Sequence, residues 1–101
     1  MKIINIQTNQ NCNNQFQKKI IFFKNDITKE DVIVFAKNRC LILNENFYIP
    51  HFKIIDNDFI IRGSINTNRI TIDFNTEDKQ KCDLLLNEFI KHIENKAGYN
   101  W

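Results

Sequence analysis

The chain has 101 residues, of which 43% are hydrophobic, and its 14 basic and 12 acidic side chains give a net charge of +2. A chain of this length forms one domain, and it buries roughly two-thirds of the surface that its unfolded state exposes. The near balance of charge argues against a dedicated nucleic-acid or membrane protein, because such proteins carry a marked basic excess. We therefore expect a single globular domain over residues 1–101.

The three cysteines, Cys12, Cys40 and Cys82, lie far apart and form no CxxC or Cys/His cluster. No zinc site is predicted from this spacing. An odd number of cysteines without a secretory signal indicates reduced thiols and a cytoplasmic protein. Cys40 and Cys82 fall on apolar patterns, so we expect both thiols to be buried.

The first half of the chain begins with a predicted strand at residues 3–7 and a polar loop, rich in Asn and Gln, at residues 8–15. The sequence KKIIFF at residues 18–23 follows. Its unbroken apolar run predicts a strand that is buried on both faces or that lies at a corner of the sheet. A turn is expected at Asn25 and Asp26.

Residues 28–38 fit two structures. Thr28 and Asp31 have the spacing of a capping box, and the apolar residues that follow repeat at helical intervals, which favours a short helix. The run Val32-Ile33-Val34-Phe35 is β-branched and aromatic, which favours a strand. We favour the helix. A further strand is predicted at residues 40–43, before a turn at residues 44–46.

The second half predicts a β-meander followed by an amphipathic helix. Apolar and polar residues alternate, and even-length loops at residues 57–58 and 66–67 would place seven apolar side chains on one face: Phe52, Ile54, Phe59, Ile61, Ile70, Ile72 and Phe74. A helix should then begin with Thr76 as its N-cap and end before Gly98. We expect its stripe of Leu85, Leu86, Phe89 and Ile93 to cover that face, with Ile61, Ile72, Phe74, Leu86 and Phe89 almost fully buried.

Residues 32–97 contain four features in a fixed order. These are the strand LILNE, the segment Tyr48-Ile49-Pro50-His51-Phe52-Lys53-Ile54, two alternating strands and a helix of type LLxxFIxxI. This order of elements resembles bacterial pleckstrin-homology-like domains. The resemblance implies an α+β fold, in which a bent antiparallel sheet forms a small sandwich or barrel that a C-terminal helix closes. It also implies a scaffold that binds proteins, peptides or lipids, with no shared chemistry.

No catalytic site is predicted. His51 and His92 are expected on different elements, and Asp56, Asp58 and Asp73 lie near turns, where aspartate is common for conformational reasons. The two glycines are isolated, so they form no phosphate-binding loop. We expect a protein that is not an enzyme and that needs neither a cofactor nor a metal.

The polar side of the meander is the predicted binding surface. It combines basic and apolar residues, and Lys53 should lie directly opposite Arg62, which costs stability. The predicted partner-binding residues are Lys53, Ile55, Ile60, Arg62, Arg69 and Thr71. The aromatic C-terminal residues Tyr99 and Trp101 are a second candidate.

These features predict a small intracellular protein that binds a macromolecular partner, as inhibitors, immunity proteins and adaptors do. One alternative is a nucleic-acid-binding module that uses Lys53, Arg62 and Arg69. Another is a homo-oligomer in which this face pairs with its own copy. A membrane partner is not expected.

Overall fold

A computed structural model describes residues 1–9, 18–37, 39–46 and 48–98. In these ranges the chain forms six strands and two helices in the following order: β1 (Ile3–Asn9), β2 (Lys18–Phe23), α1 (Lys29–Ala36), β3 (Cys40–Asn44), β4 (His51–Ile55), β5 (Phe59–Ser64), β6 (Arg69–Phe74) and α2 (Lys79–Gly98). The predicted α+β class is therefore confirmed, and residues 28–38 contain a helix.

The six strands form one antiparallel sheet in the order β1-β2-β6-β5-β4-β3. The sheet is open, with β1 and β3 at its edges, so the expected closed barrel or sandwich is wrong. The reason lies in the helices. α1 and α2 together cover one face of the sheet, and the strands do not need to close on themselves to bury their apolar side chains.

The register of the meander is the one predicted from loop parity. Ile54 pairs with Ile61, and Ile61 pairs with Ile72. The turn between β5 and β6 has four residues where two were expected, yet parity is kept because both numbers are even. Asn66 in this turn has a φ of 70°, in the left-handed region that asparagine tolerates better than most residues.

Alternate residues of each strand define the two faces of the sheet. We call the buried side the inner face, and its apolar members in the four central strands are Ile21, Phe23, Phe52, Ile54, Phe59, Ile61, Ile70, Ile72 and Phe74. The helices contribute Val32, Phe35, Ala36, Cys82, Leu86, Phe89 and Ile93 to the same cluster. All five residues predicted to be buried, Ile61, Ile72, Phe74, Leu86 and Phe89, belong to it.

Phe35 of α1 lies where the two helices and the sheet meet. Its ring centroid is 5.7 Å from that of Phe23 on β2, 6.3 Å from that of Phe52 on β4 and 6.0 Å from that of Phe89 on α2. Such aromatic pairs add to the stability gained from burial alone. Phe35 therefore fixes both helices on the inner face.

The predicted capping box of α1 is present. The hydroxyl Oγ1 of Thr28 accepts a hydrogen bond from the backbone N–H of Asp31 at 3.2 Å, and Asp31 Oδ2 accepts one from the backbone N–H of Thr28 at 2.9 Å. These reciprocal bonds satisfy N–H groups that the first turn leaves unpaired. The cap explains why Val32 and Phe35 lie in a helix despite their preference for strands.

The predicted start of α2 is wrong by a few residues. The helix begins at Lys79, and Asp78 acts as its cap, because its Oδ1 accepts from the backbone N–H groups of Gln80 and Lys81. Thr76 lies outside the helix and accepts from the N–H of Asp78. Gly98, expected just beyond the C-terminus, is the last residue of the helix.

Cys40 is exposed, contrary to the prediction, because its position in β3 places it on the side of the sheet away from the helices. β2 is not buried on both faces; its residues alternate between buried and half-buried. Most of the predicted polar loop, Cys12, Tyr99 and Trp101 lie outside the described residues.

Gly63 marks a close approach between neighbouring strands. It pairs with Phe52, and the aromatic ring lies over the glycine on the inner face. A Cβ atom at this position would lie only 2.6 Å from Phe52 Cζ and 3.2 Å from Ile70 Cγ2. The absence of a side chain at Gly63 therefore makes room for the buried ring of Phe52.

Candidate functional site

The side of the sheet opposite the helices, which we call the outer face, carries the candidate site. Strand alternation and register place the following residues on it: Lys18, Ile20, Phe22, Cys40, Ile42, Asn44, His51, Lys53, Ile55, Ile60, Arg62, Ser64, Arg69, Thr71 and Asp73. In the described ranges neither helix lies on this face. All six residues predicted to bind a partner, from Lys53 to Thr71, belong to it.

A groove crosses the outer face from the edge strand β3 towards β6. Its volume is about 430 Å³, and its lining residues are Ile42, Asn44, His51, Phe52, Lys53, Arg62, Gly63, Ser64 and Thr71. These residues come from four neighbouring strands, so the groove runs across the strands rather than along one of them. We call it the outer groove.

The centre of the outer groove is positively charged. Lys53 on β4 and Arg62 on β5 are directly paired in the register, as predicted. In the described part of the chain Lys53 has no ion-pair partner, whereas Arg62 Nη1 lies 2.6 Å from Asp73 Oδ2 on β6. Arg62 is thus shared between a neighbour of like charge and one of opposite charge.

Asp73 is the one acidic side chain among the outer-face residues named above. Its second oxygen, Oδ1, lies 3.6 Å from Lys18 Nζ on β2, so the carboxylate bridges two basic residues. Lys53 and Arg69 are the other basic side chains on this face. Four basic residues against one acidic residue give the outer face an excess of positive charge, although the whole chain is nearly balanced.

A hydrogen bond orders one end of the groove. His51 Nδ1 and Ser64 Oγ are 2.6 Å apart, on residues that pair across β4 and β5. The imidazole nitrogen donates or accepts according to its tautomer. This bond holds two polar side chains in place beside Lys53 and Arg62, where they offer hydrogen-bonding groups to a ligand.

The structure brings together some of the predicted site residues and not others. Lys53, Arg62 and Thr71 line the outer groove, whereas Ile55, Ile60 and Arg69 share the outer face without lining it. Ile55 and Ile60 pair with each other and are half-buried by their neighbours.

The sequence reasoning missed the contribution of β3. Ile42 pairs with Lys53 and Asn44 pairs with His51, which extends the groove to the edge of the sheet. The loop from residue 45 to residue 50 has an even length, so parity would have placed both residues on the outer face. Its length could not be fixed in advance, because Asn44, Asn46 and Pro50 are all turn-forming residues.

Metal chemistry is not indicated by the geometry of the described residues, in which no three His, Cys, Asp or Glu side chains come close enough to hold an ion.

Arg39 packs within the domain and not on the outer face. Its guanidinium lies 5.1 Å from the ring centroid of Phe59, and its Nε lies 3.5 Å from Asp56 Oδ1. Neither helix in the described part is long and apolar enough to cross a membrane.

Comparison with known proteins found no matching family model, curated protein or solved structure.

Proposed function

We propose that this chain is a small non-catalytic protein that binds a protein partner through the outer groove, in the manner of an inhibitor, an immunity protein or an adaptor. The observation that supports this proposal most strongly is the Lys53/Arg62 pair at the centre of the groove. Two like charges placed opposite each other on neighbouring strands reduce stability by about 0.2–1 kcal/mol. A partner with acidic groups offsets that cost when it binds.

The volume of the groove also supports a binding role. At about 430 Å³ it falls in the range of sites that hold ligands or the side chains of a partner. Its lining combines two charges, several hydrogen-bonding groups and the exposed side chain of Ile42. Polar groups that converge around an apolar contact are typical of specific recognition.

The resemblance to pleckstrin-homology-like domains stays a prediction about the scaffold. The proposal does not depend on it, because such domains bind unrelated partners on one framework.

Replacement of Lys53 by glutamate tests the proposal. The chain is used as bait in extract of the native host, and Lys91→Glu, a reversal at an exposed position of α2, is the matched control. We expect a partner protein that the parent and the control retain in equal amounts. The Lys53→Glu variant should retain at least about tenfold less of it, because a like charge then faces the acidic partner. The melting temperature should stay the same or rise, since residue 53 then attracts Arg62.

A partner that binds the Lys53→Glu and Lys91→Glu variants equally would contradict the proposal. If the parent elutes as a dimer and the Lys53→Glu variant elutes as a monomer, the homo-oligomer is supported instead.

Nucleic-acid binding is the second candidate, and the four basic residues of the outer face favour it. Binding to single strands combines a basic groove with aromatic side chains on which bases stack. In the described ranges Phe22 is the aromatic residue that strand alternation places on this face, and it does not line the groove. Oligonucleotide binding that weakens steeply with salt would promote this candidate over the first.

A further inference from the structure

The geometry around Arg62 suggests what chemical group the partner inserts. β5 lies between β4 and β6, so Arg62 has Lys53 on one side and Asp73 on the other. The bond to Asp73 Oδ2 uses Nη1, whereas a guanidinium carries five N–H donors. The remaining donors of Arg62 therefore retain capacity for a second acceptor.

Asp73 shows which acceptor this environment holds. Its carboxylate lies 2.6 Å from Arg62 Nη1 and is largely shielded, since about a quarter (26%) of the side chain is exposed. Lys53 is also half-buried, yet it has no carboxylate of its own in the described part of the chain. Arg62 and Lys18 share the carboxylate of Asp73, so positive charge is in excess here, and Lys53 is the member of this group that has no carboxylate beside it in the described ranges.

The length of the groove indicates an extended segment rather than a free small anion. Neighbouring strands are spaced by about 4.8 Å, so a groove that spans β3 to β6 is about 14 Å long. Extended chain rises by about 3.3 Å per residue, and about four residues fit. Ile42 at the β3 end is 49% exposed and offers an apolar contact.

We infer that the outer groove binds an extended segment of a protein partner, and that a Glu or Asp of this segment places its carboxylate between Lys53 and Arg62. This inference rests on the proposed function and deepens it. Asp73 neutralises part of the charge of Arg62, so it weakens the attraction of the partner's carboxylate, while its bond to Nη1 holds the guanidinium in place.

Binding of the full chain to arrays of immobilised peptides tests this inference. The peptides have a fixed central residue, Glu in one array and Gln in the other, with randomised flanking positions. We expect the parent to bind Glu-centred peptides in preference to Gln-centred ones. Lys53→Gln should abolish the preference, because the unpaired cation is then missing.

Asp73→Asn is the decisive variant, because a gain of binding is not a result of misfolding. It should bind Glu-centred peptides about twofold to fivefold more tightly, the range expected when a partly exposed carboxylate no longer neutralises Arg62. Glu88→Gln removes the same charge from an exposed position of α2 and should change nothing.

Equal binding to Glu-centred and Gln-centred arrays would overturn the inference, and so would weaker binding by Asp73→Asn. In either case the proposed function stands if the natural partner is still lost with Lys53→Glu. Failure of that capture experiment, by contrast, removes both. A single-stranded oligonucleotide could also displace the peptides at low salt and lose most of its binding when salt is added. That result would show that the groove binds a nucleic acid and not an acidic segment.

Discussion

The inner and outer faces of the sheet consist of alternate residues of the same strands, but different physical requirements apply to them. On the inner face, Ile54, Ile61 and Ile72 are almost completely inaccessible and pack against two helices. On the outer face, Lys53 and Arg62 lie opposite each other. Packing accounts for the apolar inner positions, because buried apolar side chains stabilise the fold. On the outer face Asp73 forms ion pairs with Arg62 and Lys18, but the direct pairing of Lys53 with Arg62 works against stability, and packing does not explain it.

Cysteine reactivity gives the largest expected difference between the two faces. Cys40 is exposed on the outer face, whereas Cys82 of α2 is buried in the core over the inner face. Burial raises the pKa of the Cys82 thiol, and the carboxylates of Asp83 and Asp78 raise it further. The raised pKa lowers the fraction of the reactive thiolate, and because Cys82 is fully buried a reagent reaches it only when the domain opens. With Cys12 replaced by serine, we expect Cys40 to react with a thiol reagent at least roughly a thousandfold faster than Cys82.

The measurement is the rate of labelling at each thiol, followed by mass spectrometry at neutral pH. In denaturant the two rates should converge, which serves as the control. Fast labelling of Cys82 in native buffer would mean that α2 does not cover the inner face stably.

Removal of a large helix side chain that packs against the inner face gives the next largest effect. Phe89→Ala deletes a ring whose centroid lies 6.0 Å from that of Phe35 and 6.3 Å from that of Phe59. We expect the free energy of unfolding to fall by about 3–5 kcal/mol in a denaturant titration. Leu84→Ala on the same helix is the control, because Leu84 is 64% exposed and should change stability little. Similar losses in both variants would show that α2 does not bury the predicted side.

Gly63→Ala tests the position where the two faces constrain each other. The residue lines the outer groove, but its added Cβ would lie 2.6 Å from the buried ring of Phe52 on the inner face. We expect a loss of about 1–3 kcal/mol in the free energy of unfolding, because the buried ring, which packs against Phe35, must shift to admit the added methyl group. Combined with Phe52→Leu, the change should cost less than the sum of the two single losses. Additive losses would mean that the ring and the glycine do not interact.

Much of the fold follows from local signals in the sequence. The register of β4, β5 and β6 follows from side-chain alternation and even loop lengths, because a shift by one residue would move every apolar side chain to the wrong face. The capping box at Thr28 and Asp31 correctly outweighed the strand preference of the residues that follow. Each of these signals acts within a few residues of the element that it determines.

The predictions that were wrong have two causes. Some required a choice between two local signals of similar strength, and others depended on contacts between segments far apart in the chain. Thr76 and Asp78 are both good N-caps, and the sequence alone does not rank them. The open sheet depends on α1 packing beside α2, a contact between segments far apart in the chain. The candidate site was predicted in part for the same reason: Lys53, Arg62 and Thr71 lie in the meander, whereas Ile42 reaches the groove through β3. The ion pair of Arg62 with Asp73 was missed because it is diagonal and not directly across the strands.

The strand order also determines how the chain acquires its structure during synthesis. β6, the last of the six strands in chain order, lies between β2 and β5 in the sheet. β2 therefore has no partner on that side until β6 has left the ribosome, and the core stays uncovered until α2 follows. Pairs such as Ile21 with Ile70 close a long loop before they contribute stability, which makes folding slower than in a helical bundle of this size. The nascent chain is thus most prone to aggregate between the emergence of its second strand and that of its final helix.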